Sequence, residues 1–471
     1  MRDLMRNLAG QSLWYAGANS LAKAAGLLLL PLYTNTRYLD VSDYGRWGVL
    51  EVTVQIGIIV LSLQLPMGLV RFGAQPETRL AAARSVWGLT IGIAGALVAI
   101  GFLVLRAPGG AIWGLMSLYV AFELPLGVAL AALRAEGRAK WYAGILLFKL
   151  FGLIALSYVA LALWRMGLMG VLAAYAASSA GACLAALAAT WGRWPWGWPR
   201  PDPGWTGVLV RVCAPLIGGA LGSLALNAAD RYVLAAWRTE FEVGLYVLAA
   251  KFGGVVNMLG AQPIQLAWLP FVLRLRPEER PAVVALAHRG AAVGLGALAL
   301  CTSLFAPWVL VLMDADPAYR AALPLVPWIS LGFAAFGLSL IWSALLLEAL
   351  RSGSFSLIVA GTAALNLALN ALLVPTWGAL GAAVATLLAY TGLLLWTHRA
   401  VRNSIGLPLS GMRLLGLGLW TGLLAALGTM RAPEGIGDLA LRFGLLGVWL
   451  LGAWLLGWVR IGDARALIRG L

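Results

Sequence analysis

Three lysines stand where a lipid bilayer makes charge costly. Lys23, Lys149 and Lys251 each lie inside a long apolar run, and they are three of only four lysines among 34 basic residues. An ionisable side chain at membrane depth costs about 2.5 to 3.5 kcal/mol even on the mildest scale, so it faces either a water-filled cavity or a partner. Lysine is a hydrated point charge with three donors, suited to a phosphate that must be released again. The three together imply a cavity for something negatively charged. The competing assignment is an ion pair with an intramembrane acid. Glu51 and Glu123 are the candidates, either as lysine partners or as proton-coupling groups. Arg71 closes an apolar run, where it serves as a headgroup-capturing cation or as an ordinary end anchor. Lys23, Lys149, Lys251 and Arg71 are therefore the candidate substrate-binding residues.

The elements that hold these residues are transmembrane helices. Hydrophobic residues make up 61% and charged residues 11% of the 471-residue chain, far from the roughly 25% charge of soluble domains. Apolar runs of spanning length recur throughout. The expected fold is an all-α polytopic membrane protein with about fourteen spans. They lie near 9–33, 46–70, 82–105, 110–133, 139–163, 168–190, 207–236, 243–273, 283–313, 320–348, 353–375, 377–397, 412–430 and 439–459. With a cytoplasmic N-terminus, 22 basic residues fall at inner ends and nine at outer ends, a positive-inside bias that puts both termini in the cytoplasm. The net charge of +15 is then topology and anionic-lipid contact, not nucleic-acid binding. Cys183, Cys213 and Cys301 show no paired spacing and read as small core residues. Neither a metal nor a cofactor is expected. The basic start of the chain reads as leading into a retained first helix.

Residues 191–205 pack five Trp and four Pro between the sixth and seventh spans. Proline prevents a continuous helix there, and tryptophan suits the headgroup level. This divides the chain into a six-helix lobe at 1–192, a Trp/Pro-rich cytoplasmic linker at 193–205, a second six-helix lobe at 206–400, and two additional helices with a tail at 401–471. A weak internal repeat supports two lobes. Gly45 and Gly244 are 199 residues apart, and Gln64 and Gln265 are 201 apart, each pair at like places in the second and eighth spans. Six spans of separation make the repeat parallel. Ser42 or Asp43 is expected to cap the second span, and Pro66 to kink it. Asp230 and Arg231 are adjacent near the outer end of the seventh span. They point about 100° apart on a helix, so they read as part of an outer gate or of a lobe-to-lobe salt bridge.

Several short motifs carry a resemblance. Thr36-Arg37-Tyr38-Leu39-Asp40 leads to Ser42-Asp43-Tyr44-Gly45, and the helix that follows closes on Gly68-Leu69-Val70-Arg71-Phe72. Asn227, Asp230-Arg231-Tyr232 and Val243-Gly244-Leu245-Tyr246 repeat the pattern. The chain resembles the polysaccharide and O-antigen flippases, the oligosaccharide exporter branch of the multidrug/oligosaccharidyl-lipid/polysaccharide transporter superfamily. The resemblance implies a flippase that moves polyprenyl-pyrophosphate-linked oligosaccharide from the cytoplasmic to the outer leaflet of the bacterial inner membrane. The two lobes would rock around a cationic central cavity, for surface polysaccharide biosynthesis. Membrane lipids and polysaccharide-assembly proteins are the implied partners. In the related lipid II flippase two extra C-terminal helices make a groove for the polyprenyl tail, and the last two spans here are assigned that role by analogy alone.

Two other classes compete. A secondary antiporter of the same superfamily would export a drug or an anionic metabolite. Drug exporters place acids in the cavity, whereas the first span here carries Lys23 and no Asp or Glu. A membrane glycan polymerase or glycosyltransferase needs large outer loops or an acid-base set. The loops are short, and His288 and His398, the only histidines, are expected in cytoplasmic loops far apart in sequence. No nucleophile, metal-ligand or phosphate-loop pattern appears.

Overall fold

A computed structural model describes residues 26–197, 201–273, 275–276, 278–348, 352–405, 411–431, 433 and 435–458. Lys23 lies outside them. The regular structure of the described residues is helical. In the first half, α1 is Val41–Leu61, α2 Leu65–Gly73, α3 Pro76–Leu105, α4 Ala111–Ala135, α5 Ala139–Tyr158, α6 Gly167–Thr190 and α7 Pro203–Trp237. There follow α8 at Glu240–Val256, α9 at Gln262–Val272, α10 at Arg280–Leu312, a 3-10 segment at Pro317–Leu325, α11 at Val326–Glu348, α12 at Ser352–Ile405, α13 at Gly411–Thr429 and α14 at Gly435–Leu455.

Twelve stretches among the described residues are long and apolar enough to span a bilayer, and the protein is a multi-pass membrane protein. One of them, Phe355–Arg402, is double. Gly378 breaks α12 with φ 57° and ψ −135°, a conformation that L side chains avoid. The break frees carbonyls at the end of the first arm, and Arg238 closes them. Its Nε donates to Val374 O at 3.1 Å and Nη2 to Pro375 O at 2.9 Å. The arms 352–377 and 379–405 correspond to the eleventh and twelfth expected spans.

By internal contacts the chain forms two compact units, Met1–Leu224 and Ala225–Leu471, with the boundary inside α7. Each unit is built around one buried helix. In the N-terminal unit it is α4, whose apolar window is 61% buried, and in the C-terminal unit it is Pro317–Leu346 at 72%. By contrast α3 is 17% buried, and Leu103 and Phe102 stand exposed on it. Helices apolar on all faces are the solution when the surroundings are lipid.

The parallel repeat reappears in local chemistry. Asp40 accepts from Ser42 N at 3.2 Å and caps α1, so the cap is Asp40 and neither Ser42 nor Asp43 as expected. Asp40 is the residue in extended backbone before the first turn, as a cap must be. At the equivalent place Thr239 accepts from Glu242 N at 3.3 Å and caps α8. The expected kink in the second span is a full break. Leu63 and Gln64 have φ of 47° and 53° before Pro66 restarts the chain as α2. In the eighth span a π turn at Asn257–Ala261 precedes Pro263. Both irregularities let a proline enter a span without an orphaned carbonyl.

The Trp/Pro segment does more than lie at an interface. Trp194 and Trp196 are buried and stacked at 5.7 Å, and they pack on α3 beside Trp87. Trp196 Nε1 donates to Thr190 Oγ1 at 2.7 Å and Trp194 Nε1 to Glu136 at 3.1 Å. Glu136 also pairs with Arg79 at 2.9 Å and Arg138 at 3.4 Å. Trp191 stays exposed, as a headgroup-level tryptophan would. The segment around Trp194 and Trp196 is thus an integral part of the N-terminal unit, because both indole N–H groups found acceptors that only packing could supply.

The last two spans are fastened to the C-terminal unit. Arg442 is fully buried on α14. It pairs with Asp438 at 2.6 Å, and donates to the carbonyls of Leu304, Gly428 at 3.0 Å and Arg431 at 3.2 Å. Trp308 adds a bond to Asp438 at 2.7 Å, and Trp449 bonds Thr421 at 2.8 Å. One guanidinium therefore ties α10, the end of α13 and α14 together.

Candidate functional site

The N-terminal unit gathers three of the sequence-selected residues. Glu123 is midway along α4 and Lys149 midway along α5, and the two side chains form an ion pair. Ser179, at mid-α6, donates to the same Glu123 oxygen at 2.5 Å. Both charged groups are mostly buried, with 20% and 16% of their side-chain surfaces exposed. The pair satisfies each charge in a place where neither would be tolerated alone. The Lys149 ammonium also lies 5.9 Å from the Tyr119 ring centre. Tyr119 packs on Tyr175 at 5.5 Å, and Tyr175 on Trp47 at 4.6 Å. Glu51 is within electrostatic range of Tyr33, Tyr119 and Tyr175. The result is an aromatic-walled polar cluster in which Lys149 is a paired lysine.

The other candidates fall elsewhere. Arg71 is exposed in the last turn of α2, with its guanidinium 5.4 Å from the Phe72 ring. A cation there is reachable from water and helps the α2 C-terminus electrostatically. Lys251 is half-buried on α8. Asp230, on α7, is 6% exposed and belongs to a network inside the C-terminal unit. Tyr246 donates to its carboxylate, Thr386 reaches it at 3.4 Å, and the Arg231 amide at 3.2 Å. Nearby Tyr390 donates to Asn227 at 2.9 Å. Hydroxyls surround the Asp230 carboxylate, and the adjacent Arg231 is within electrostatic range of it.

Sequence reasoning missed Ser179, Tyr119, Tyr175, Tyr246 and Thr386. Tyrosine and serine in apolar helices are common enough that no spacing singles them out. A hydroxyl one helix away from a mid-span charge was the available signal. The histidines were misplaced. His288 and His398 lie within α10 and α12, not in loops, and both pack on Trp342, at 5.3 and 4.7 Å. Among the described residues no group of three His, Cys, Asp or Glu side chains is placed to hold a metal ion.

The fold is one that solved multi-pass membrane transporters share. No family model matches the chain, and no curated protein does. Solved structures do match. A lipid II flippase, MurJ in an inward closed conformation, aligns with a TM-score of 0.69 at 10% identity, over 94% of this chain and 98% of that one. An inward-facing multidrug resistance MATE family transporter of the MOP superfamily gives 0.57 at 16% identity, over 85% and 94%. The Vibrio cholerae MATE transporter VcmN D35N mutant gives 0.52 at 16% identity, over 85% and 98%. At these identities the likeness establishes the fold.

Proposed function

We propose that this protein is a flippase that carries a polyprenyl-pyrophosphate-linked oligosaccharide from the cytoplasmic to the outer leaflet by alternating access. The product feeds surface polysaccharide assembly. The observation that carries the reading is the extent of the likeness to a lipid II flippase, 94% of this chain against 85% for the MATE transporters. A pyrophosphate-linked glycan needs a hydrated path with cations, while its apolar tail stays in lipid. Lys23, Lys149, Lys251 and Arg71 supply the cations in this reading. The Glu123 contact gives Lys149 a resting partner that an incoming pyrophosphate replaces, so the ammonium is never bare in a low dielectric. Asp230, held by hydroxyls, is the group assigned to take up a proton or a cation, since a buried carboxylate is stable once neutralised. The bacterial cytoplasmic membrane, with both termini inside, is the proposed location.

A second reading has its own observation. Glu51 and Glu123 among Tyr33, Tyr119 and Tyr175 make an acidic, aromatic wall, which suits export of a cationic amphiphile through cation–π contacts. One experiment separates the two. In a strain lacking the chain, accumulation of complete lipid-linked repeat units with loss of surface polysaccharide is the flippase outcome. Unchanged polysaccharide with heightened sensitivity to cationic drugs is the exporter outcome.

A further inference from the structure

We infer that the second span is a two-state hinge whose pivot is the turn at Leu63–Gln64. The backbone there is left-handed at two successive non-glycine residues, with φ of 47° at Leu63 and 53° at Gln64. L side chains avoid that region, so the surrounding structure must hold them in it. The hydrogen bonds of the turn show how. In an unbroken helix the Ile59 carbonyl would accept from Leu63 N. Here Leu63 N donates to Val60 O at 3.1 Å, and the Ile59 carbonyl accepts from Ser62 Oγ at 3.3 Å and Gln64 Nε2 at 3.5 Å. Ser62 Oγ also accepts from Gln64 N at 3.2 Å, and Ser62 O from Leu65 N at 2.9 Å. That last bond fills a gap, because Pro66, the helical partner of Ser62 O, has no N–H to give.

These residues support two closely matched conformations. Two left-handed residues disfavour the broken form by about a hundredfold in all. A proline in the interior of an unbroken helix disfavours the straight form by about the same factor. Neither form wins on its backbone alone, so packing and bound cargo set the balance. The eighth span shows that the fold accommodates a continuous solution. There a π turn at Asn257–Ala261 leads into the helix of Pro263 without a left-handed residue.

Packing identifies the arm that moves. Leu65 and Leu69 of α2 are fully buried, and a Cβ at Gly68 or Gly73 would come within 3.0 Å of Leu209 or Trp194. Only a third of the α1 window is buried. Thus α2 stays with the N-terminal unit while α1 pivots on it. Trp47 and Glu51 ride on α1 and Arg71 on α2, so the pivot changes the spacing between the aromatic-walled cluster and the exposed guanidinium. The hinge stands whether the cargo is anionic or cationic.

The test uses the full chain in lipid nanodiscs, with its three cysteines replaced by alanine. Nitroxide labels are placed at Gln55→Cys, exposed on α1, and Leu103→Cys, exposed on α3. Double electron–electron resonance reads their separations. Two populations are expected, one of them at the separation of the broken form. Leu63→Gly should raise the ratio of broken to straight by about tenfold, and Pro66→Ala should lower it by about a hundredfold. Pro307→Ala, inside the unbroken α10, should leave it unchanged. Melting temperatures confirm that each variant is folded. A distribution that Pro66→Ala leaves in place, or that Pro307→Ala shifts equally, would overturn the hinge.

Discussion

Lys149 was selected for its cost in a bilayer, and the structure shows what offsets that cost. Glu123 neutralises it and Ser179 holds the carboxylate, so the three side chains behave as one unit. Replacing one member leaves an uncompensated buried charge. Lys149→Gln should therefore destabilise the protein by about 3 to 5 kcal/mol, and adding Glu123→Gln should recover most of that loss. Thermal unfolding in detergent measures both. Transport separates the two roles of the lysine. If Lys149 receives the pyrophosphate, the stable double variant still accumulates lipid-linked oligosaccharide; restored transport would reduce the pair to a structural bolt. Asp230 makes a second prediction at this scale. Asp230→Asn keeps an acceptor for Tyr246 and should fold with little change in melting temperature, yet flipping should fall by about tenfold or more if the carboxylate must be neutralised and released in each cycle. Wild-type transport in that variant would remove Asp230 from the coupling role.

Breaks in the helices carry meaning at the next scale. The Gly378 kink converts one 54-residue helix into two spans, and Arg238 makes the break affordable by taking its carbonyls. A Cβ at Gly378 would meet Glu242 Oε2 and would hold a backbone conformation almost confined to glycine. Gly378→Ala should cost about 1 to 3 kcal/mol, readable as a lower melting temperature, and Arg238→Ala should move stability the same way. The C-terminal hairpin gives a sharper case. Arg442 is buried with Asp438 and serves carbonyls of α10 and of the α13 end. Arg442→Met alone should destabilise by about 3 to 5 kcal/mol because it strands Asp438, and Asp438→Asn in the same chain should return part of it. Limited proteolysis of 429–435 checks whether the loss is local to the hairpin. Unchanged cleavage and melting would show that Trp449 and its apolar contacts hold the hairpin alone.

For the whole molecule the proposed transport role turns on which cargo would use this fold. Fold alone does not decide it, since flippase and drug transporters share it at 10% and 16% identity. The chemistry that does decide is the balance of charge presented to the cargo. Charge-reversing variants test that balance. If an anionic headgroup is carried, Arg71→Glu should lower flipping about tenfold while leaving the protein in the membrane, because its exposed guanidinium contributes little to folding. Oligosaccharide accumulation in the complemented deletion strain is the readout. Unaltered flipping would return Arg71 to the part of a helix-end anchor.

Composition and hydropathy were enough for the all-α membrane class and for the separation of the eleventh and twelfth spans. Those depend on local quantities: twenty apolar residues are long enough to cross a bilayer, and Gly378 takes a backbone conformation that breaks a helix where it stands. Lys149 and Glu123 could be marked as costly, but 26 residues and a turn separate them, and nothing local says that they meet. The same limit hid Arg442, which reads as an outer-end anchor until its carbonyl partners on two other helices are seen. It also hid the two histidines that share Trp342, and the tryptophans of the linker, which look interfacial by composition. Each of these is a satisfaction problem: a buried polar group is tolerable only beside its complement, and the complement comes from a distant helix. The sequence states which side chains need a partner. Packing alone decides which partner each one receives.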